Sequence, residues 1–481
     1  MANFFIGRKE EKEILEAALS SKEAEMIAVI GRRRVGKTYL IESVYEDQIV
    51  FQITGLQNAT KAEQLDNFAI RLTKLTQSKI PLERPKSWLR AFDILTTYLD
   101  EQLGAEKKVV FLDELPWLST HKSGFLTGLS YFWNSWAVKK NIVLVVCGSA
   151  ASWMIQKVIN NKGGLYNRVT KRIFLSPFTL AETETYFQAK DFDFTRYQIT
   201  QLYLALGGIP HHLKEVQKGK TAVQNINQIC FSQQGLLRTE FSRLYPALFA
   251  HADKHIAVIR ALATKQKGLT RNEIIKTAKL PNGNSTTRVL EELEYSGFIS
   301  AYRPFNKKKK NRLYRLTDEY SLFYLKFIEG KAYEGKSVWN HLSQTQAFKT
   351  WSGYAFESLC LKHIPQIKKS LDIAGIYSLS SSFYHKGTST ELGTQIDLLI
   401  DRNDGAINLF EIKFYADPFI VSKSYADNLR QKRSIFKSIT KTKKQIFYVL
   451  IAAQGVVENG HSQAVFSQVL GLDDLFVNLQ F

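Results

Sequence analysis

"MIAVIGRRRVGKT", Met26 to Thr38, runs from an apolar stretch through a glycine-bounded basic loop into a helical pattern. Gly31, Gly36, Lys37 and Thr38 fit the spacing G-x-x-x-x-G-K-[ST], with a strand before it and a helix after it. That order predicts a loop whose backbone N–H groups wrap phosphates at a helix N-terminus. Arg32, Arg33, Arg34 and Val35 complete the loop. Lys37 reaches toward the outer phosphates, and the Thr38 hydroxyl is placed to ligate Mg²⁺.

Three further apolar runs, "IVFQITG", "VVFLDE" and "IVLVVCGS", are separated by helix-like segments and end in small or polar residues. This is the pattern of buried parallel strands. In such sheets ligands sit at the carboxyl ends of the strands, where Gly31, Asp113, Glu114 and Ser149 fall. Asp113 is expected in the Mg²⁺ shell and Glu114 as the group that orients or deprotonates the attacking water. Either acid could instead cap the next helix, and Ser149 reads equally as a γ-phosphate sensor or a cap.

A chain of 481 residues is too long for one core. Its 44% hydrophobic and 12% aromatic content is ample for packed domains. A formal charge of +20 suits a polyanion or an acidic membrane surface, and charge alone does not choose between them. The three cysteines, Cys147, Cys230 and Cys360, are too few for a disulfide framework and too far apart for metal-ligand spacing, which fits a reducing cytoplasm. No run of about 18 apolar residues is present, so a soluble protein with no membrane partner is expected.

Beyond residue 177 the pattern turns helical. "TLAETETYFQA" and "ITQLYLALGGIPHHLKEV" predict a helical lid over 178–250. Three short helices and a hairpin around "NKKKKN" predict a winged helix over 251–317. Asn284 or Ser285 is expected to cap its third helix, and Val289, Leu290, Leu293 and Phe298 to form its core. Thr286, Thr287 and Arg288 then face outward toward DNA, and Lys307, Lys308, Lys309 and Lys310 contact phosphates. A helical linker over 318–349 leads to an α/β segment over 350–481.

Over residues 1 to about 240 the chain resembles the AAA+ ATPases, and more narrowly the archaeal and bacterial P-loop ATPases whose loop reads GRRR-x-GK-[ST]. "FIGRKEE", "LDELPWL", "CGSAASWM", "GGLYNRVTKRIFLSPFTLAE" and "GGIPHHL" carry the resemblance beside the loop. It implies ATP binding and hydrolysis by residues 1–177. It also implies a homo-oligomer in which an arginine acts on the neighbouring subunit's nucleotide, with Arg168 the first candidate and Arg172 the second. Arg32 to Arg34 stand where many AAA+ loops carry an extra glycine.

The segment "IDLLIDRNDGAINLFEIKFYA", Ile396 to Ala416, reads as a hairpin. A turn centred on Asp404 pairs Ile396 with Ile412 and Leu398 with Phe410 on one face. Leu399 then pairs with Leu409, and Asp397 with Glu411, on the other. Lys413 joins the acidic face. Facing acids destabilise a ladder unless a cation lies between them, so Mg²⁺ is expected there. Asp followed by Glu-x-Lys on the next strand resembles the PD-(D/E)XK nuclease superfamily. "WSGYAFESLCLKH" matches the preceding helix, and the resemblance makes Glu357, Asp397 and Glu411 metal ligands and Lys413 catalytic.

The expected architecture is therefore a multidomain α/β chain: a parallel-sheet P-loop ATPase core with helical lid, a winged helix, and a C-terminal α/β restriction-endonuclease-like domain. The expected function is an ATPase coupled to a DNA-binding, Mg²⁺-dependent nuclease-like domain. The alternative is a nucleotide-switched DNA-binding or signalling protein whose C-terminal domain does not cut.

Overall fold

The computed structural model describes residues 6–479 except 250, 266, 308–310, 334, 336 and 388–391. Lys308, Lys309 and Lys310 therefore lie outside the described residues. The chain divides into two compact units, residues 1–177 and 178–481.

The first unit is built on strands β1 (Glu25–Ile30), β2 (Ile49–Thr54), β3 (Lys108–Asp113), β4 (Ile142–Gly148) and β5 (Lys171–Phe174). All pair in parallel in the order β2-β3-β4-β1-β5. Strands β1 and β4 are buried along their whole length, as their unbroken apolar runs require. Strand β5 has no counterpart among the expected strands, because Lys171, Arg172 and Phe174 are exposed and the segment lacks an apolar run. The helices Lys61–Leu75, Trp88–Gln102 and Phe125–Ser135 bury Phe68, Trp88, Phe92, Phe125 and Phe132 in one core with the sheet.

The second unit begins with helices, among them Leu180–Gln188, Arg196–Leu206 and Ala222–Phe231. Within 318–349, expected as a linker, several aromatic residues belong to the core. Tyr320, Phe323, Phe327 and Trp339 are all but fully buried. The Trp339 ring lies 4.8 Å from Phe323, 5.1 Å from Phe327 and 5.6 Å from Phe231. The Tyr320 hydroxyl donates to the Leu237 carbonyl (2.7 Å) and accepts from the Phe241 N–H (2.9 Å).

Helices Ala252–Ala263, Arg271–Ala278 and Asn284–Tyr295 follow, with a three-stranded antiparallel sheet of β6 (Leu269–Thr270), β7 (Ile299–Tyr302) and β8 (Leu313–Leu316) in the order β6-β8-β7. Val289, Leu290, Leu293 and Phe298 form the buried stripe as expected. Two expectations here are corrected. Gly283 occupies the cap position of the third helix with no side-chain bond, so neither Asn284 nor Ser285 caps it. Thr286 is buried, its hydroxyl donating to the Pro281 carbonyl (2.6 Å), which leaves Thr287 and Arg288 exposed without it.

The last sheet contains β9 (Ser378–His385), β10 (Thr394–Arg402), β11 (Ala406–Lys413), β13 (Gln445–Ala452) and β15 (Gln468–Leu470). Its order is β15-β13-β11-β10-β9; β12 (Phe419–Ile420) and β14 (Val456–Val457) pair separately. Strands β9, β10 and β11 are antiparallel neighbours, whereas β11 and β13 run parallel. The helices Gln346–Lys362 and Lys423–Thr440 precede β9 and β13 respectively.

His363 ties this region to the helical part of the same unit. Its Nε2 accepts from the Leu180 N–H (3.3 Å), and Nδ1 donates to the Leu359 carbonyl (2.9 Å). Both bonds need the neutral ring, since protonating Nε2 would set one N–H against another. Burial, with the charge of Lys362 behind it, lowers the His363 pKa to about 4. The unfolded chain, titrating near the ordinary histidine value of about 6.5, takes the proton first as pH falls. Stability is therefore full above about pH 6.5 and is lost progressively toward pH 4, by up to about 3 kcal/mol. Urea midpoints should fall between about pH 7 and pH 4.5, and His363→Phe, which cannot titrate, should narrow that difference.

Candidate functional site

The ends of β1, β3 and β4 bring the loop residues and three polar side chains together in the first unit. Gly31 leaves β1 so close to the residue after β5 that a Cβ there would stand 2.4 Å from the Leu175 carbonyl oxygen. Only glycine fits. Arg34 (φ 70°) and Gly36 (φ 93°) are both left-handed, and the helix Lys37–Tyr45 starts immediately after them. Lys37 is buried, and its ammonium donates to the Arg32 carbonyl (3.1 Å) across the loop. The Arg33 guanidinium lies 5.6 Å from the Trp117 ring centroid, joining the loop to the segment after β3.

Asp113 and Glu114 do different work. The Thr38 hydroxyl donates to Asp113 Oδ2 (2.9 Å), while Oδ1 accepts the Glu114 N–H (2.9 Å). Glu114 is left-handed (φ 47°), and its carboxylate makes no bond to the helix Leu115–Leu118 that follows. It accepts instead from the Ser149 hydroxyl (2.8 Å) and N–H (3.1 Å). Glu114 stands at the cap position of that helix without a side-chain cap bond, and Ser149 is not a cap, because its hydroxyl goes to Glu114 and Ala150 holds the next cap position. Arg168 and Arg172 are both exposed, the latter on β5.

Arg8 was not among the sequence candidates. It is left-handed and buried, and donates to the carbonyls of Ser176 (2.5 Å) and, at 3.4 Å, of Val35. It thus braces the phosphate loop from the chain's first helix. The glycine before it was a sequence signal, but its partner was too distant in the chain to be read.

In the C-terminal sheet, Leu398 pairs with Phe410 and Leu399 with Leu409, in the expected register, and the ladder continues through Ile400–Asn408 and Asp401–Ile407. The expected Asp397–Glu411 and Ile396–Ile412 pairs lie outside that ladder among the described residues. The cause is a register shift between Ile396 and Leu399 where β10 meets β9. Ile396 and Leu399 consequently enter one apolar cluster, although strict alternation would put them on opposite faces.

Asp397 and Glu411 are therefore not partners across the ladder, although the charge of each acts on Glu357. Asp397 lines a cleft with Glu357 and accepts a hydrogen bond from Gln395. Glu411 is bound by Lys413 (2.9 Å), by Lys432 (3.3 Å) and by the Tyr425 hydroxyl, the last two from the helix Lys423–Thr440. Burial alone would raise the Glu411 carboxyl, but the two lysines and Tyr425 outweigh it and hold it below the usual range. Glu357 goes the other way, pushed up to about 8 by burial and then by the charge of Asp397. Carboxylates are the right donors for Mg²⁺. Among the described residues, however, no group of three or more acids, histidines or cysteines stands close enough to hold a metal ion.

A strand-loop-helix phosphate cradle facing an acid pair at the ends of parallel strands defines a P-loop nucleotide site. Residues 5–216 match the family described as an ATPase domain predominantly from Archaea, and this part of the chain is an ATP-binding P-loop ATPase. An uncharacterized protein of Methanocaldococcus jannaschii is 22% identical over 438 residues, 90% of this chain and 92% of its own length. An uncharacterized ATP-binding protein of the same organism is 48% identical over 44 residues, 9% of this chain and 75% of its own. Among solved structures, a Walker-type ATPase of Pyrococcus abyssi shares 18% identity at a TM-score of 0.48, covering 67% of this chain and 96% of that one. No helix among the described residues is long and apolar enough to cross a membrane.

Lys37→Ala should abolish ATP binding, measured by equilibrium titration. Glu114→Gln should still bind ATP while steady-state hydrolysis falls at least about 100-fold, the loss expected on removing a general base.

Proposed function

We propose that the protein is an AAA+-type ATPase that acts on DNA through a winged helix, over 251–317, and a C-terminal domain of the PD-(D/E)XK nuclease fold, over 350–481, with residues 178–250 as its lid. Thr38 and Asp113 would hold Mg²⁺, a fit supported by their two oxygens standing 2.9 Å apart at the loop. When bound, the ion would neutralise charge on the β- and γ-phosphates. Lys37 and the loop backbone bind the phosphates. Glu114 orients water once it leaves Ser149, and Ser149 exchanges that carboxylate for the γ-phosphate. Arg168, with Arg172 second, reaches a neighbouring subunit's nucleotide in a homo-oligomer.

Thr287, Arg288 and Lys307 are exposed and suit contact with DNA. One observation carries the coupling: the β7–β8 connection is fastened to the C-terminal sheet. The Phe305 N–H donates to the Ser382 carbonyl (2.8 Å), and its ring packs 5.5 Å from Phe436. DNA held by the helices would thus be held beside the acids. Helix acid Glu357, strand acid Asp397 and Glu411-x-Lys413 follow the order of the nuclease resemblance.

A second reading, in which ATP state governs DNA binding without cutting, is favoured by the separation of the three carboxylates and the neutralisation of Glu411 by lysines. ATPase and plasmid-cleavage assays in Mg²⁺ or Mn²⁺ should be run side by side on wild type, Lys37→Ala and Asp397→Ala. Asp397→Ala is expected to keep ATP hydrolysis and lose cleavage, and Lys37→Ala to alter DNA binding. Cleavage that survives both Asp397→Ala and Lys413→Ala would remove the nuclease assignment, and nucleotide-dependent binding without cleavage in wild type would establish the second reading.

A further inference from the structure

Within the second unit, Asp397 and Glu357 share a cleft with residues from the three-helix module. Lys267, at the turn before β6, and Arg315 on β8 line it from the module, and Ser358 and Gln395 line it beside the acids. Arg315 is only 7% exposed, yet its Nε is buried without a hydrogen-bond partner. Its guanidinium lies 5.3 Å from the Tyr302 ring centroid, which restrains the plane of the fork. Its charge acts on the Glu357 carboxyl, which shares the cleft with it, without supplying an acceptor to that Nε. The Ser358 hydroxyl is likewise buried and unpartnered. Lys267 is exposed, its ammonium 4.7 Å from the Tyr384 ring centroid on β9.

A buried guanidinium with an unmet N–H is costly unless a ligand supplies the acceptor. Its planar fork matches phosphate oxygens better than any other side chain. The Asp397 carboxylate would repel a small free anion, so the phosphate must belong to a longer polyanion anchored at other points. We propose that this cleft takes one backbone phosphodiester of DNA, gripped by Arg315 with Ser358 as a second donor and Lys267 at the mouth. The helical module then supplies the anion-binding side of the acidic site, and Arg315 is a positioning residue. This rests on the DNA-directed reading above.

The test is the salt dependence of binding of a labelled DNA duplex to the full chain, read by fluorescence anisotropy. Losing one phosphate contact lowers the log–log salt slope by about 0.9. Arg315→Gln and Lys267→Ala should each show that loss with unchanged ATP hydrolysis in the absence of DNA. Arg315→Lys, which keeps the charge but not the fork, should keep the slope and bind more weakly. Inorganic phosphate should not compete. If wild type fails to bind DNA, the DNA-directed reading and this proposal fall together. If wild type binds and both variants keep its slope, or phosphate competes, the proposal alone falls. Should Arg315→Gln not fold, judged by its melting curve, the exposed Lys267→Ala decides.

Discussion

Everything at the ATP site depends on parallel pairing around β4. It sets Ile30 opposite Gly148, and Leu112 opposite Val146, so that β1, β3 and β4 end at one level. Phosphate loop, Asp113, Glu114 and Ser149 come from stretches far apart in sequence and meet only because these strands terminate together.

The close approach of Gly31 to the Leu175 carbonyl extends that constraint to β5. Arg8 adds a brace from the other side of the loop, bonding Val35 and Ser176. A loop held at both ends keeps its conformation without relying on the nucleotide, which lowers the entropic cost of binding. The Glu114–Ser149 pair is the part able to change. Two hydrogen bonds from Ser149, the residue after β4, hold the Glu114 carboxylate.

The second unit is organised by a different device. The bulge in β10 diverts Asp397 from Glu411 and toward Glu357, and hands Glu411 to Lys413, Lys432 and Tyr425. Asp397, Glu411 and Lys413, which an ideal hairpin would stack on one face, thus take different partners, with Glu357 feeling the charge of all three. The opposite directions in which the Glu357 and Glu411 carboxyls are pushed follow directly from that division. Because the β7–β8 connection is bonded to β9, the helical module and the acidic strands move as neighbours within one unit.

The sequence alone determined the local features: the glycine and lysine spacing of the loop, the four apolar strands with small or polar residues at their ends, the core stripe of the third module helix, and the hairpin register through Leu398–Phe410. Each rests on periodicity or on backbone freedom within a few residues, where the chain has little choice. Tertiary structure decided what required a distant partner. It buried Thr286 against Pro281, made the expected linker into an aromatic core, bent β10 and turned Arg315 into the acidic cleft. These outcomes depend on packing between segments tens to hundreds of residues apart, and side-chain periodicity holds no record of which neighbour a strand or helix will meet.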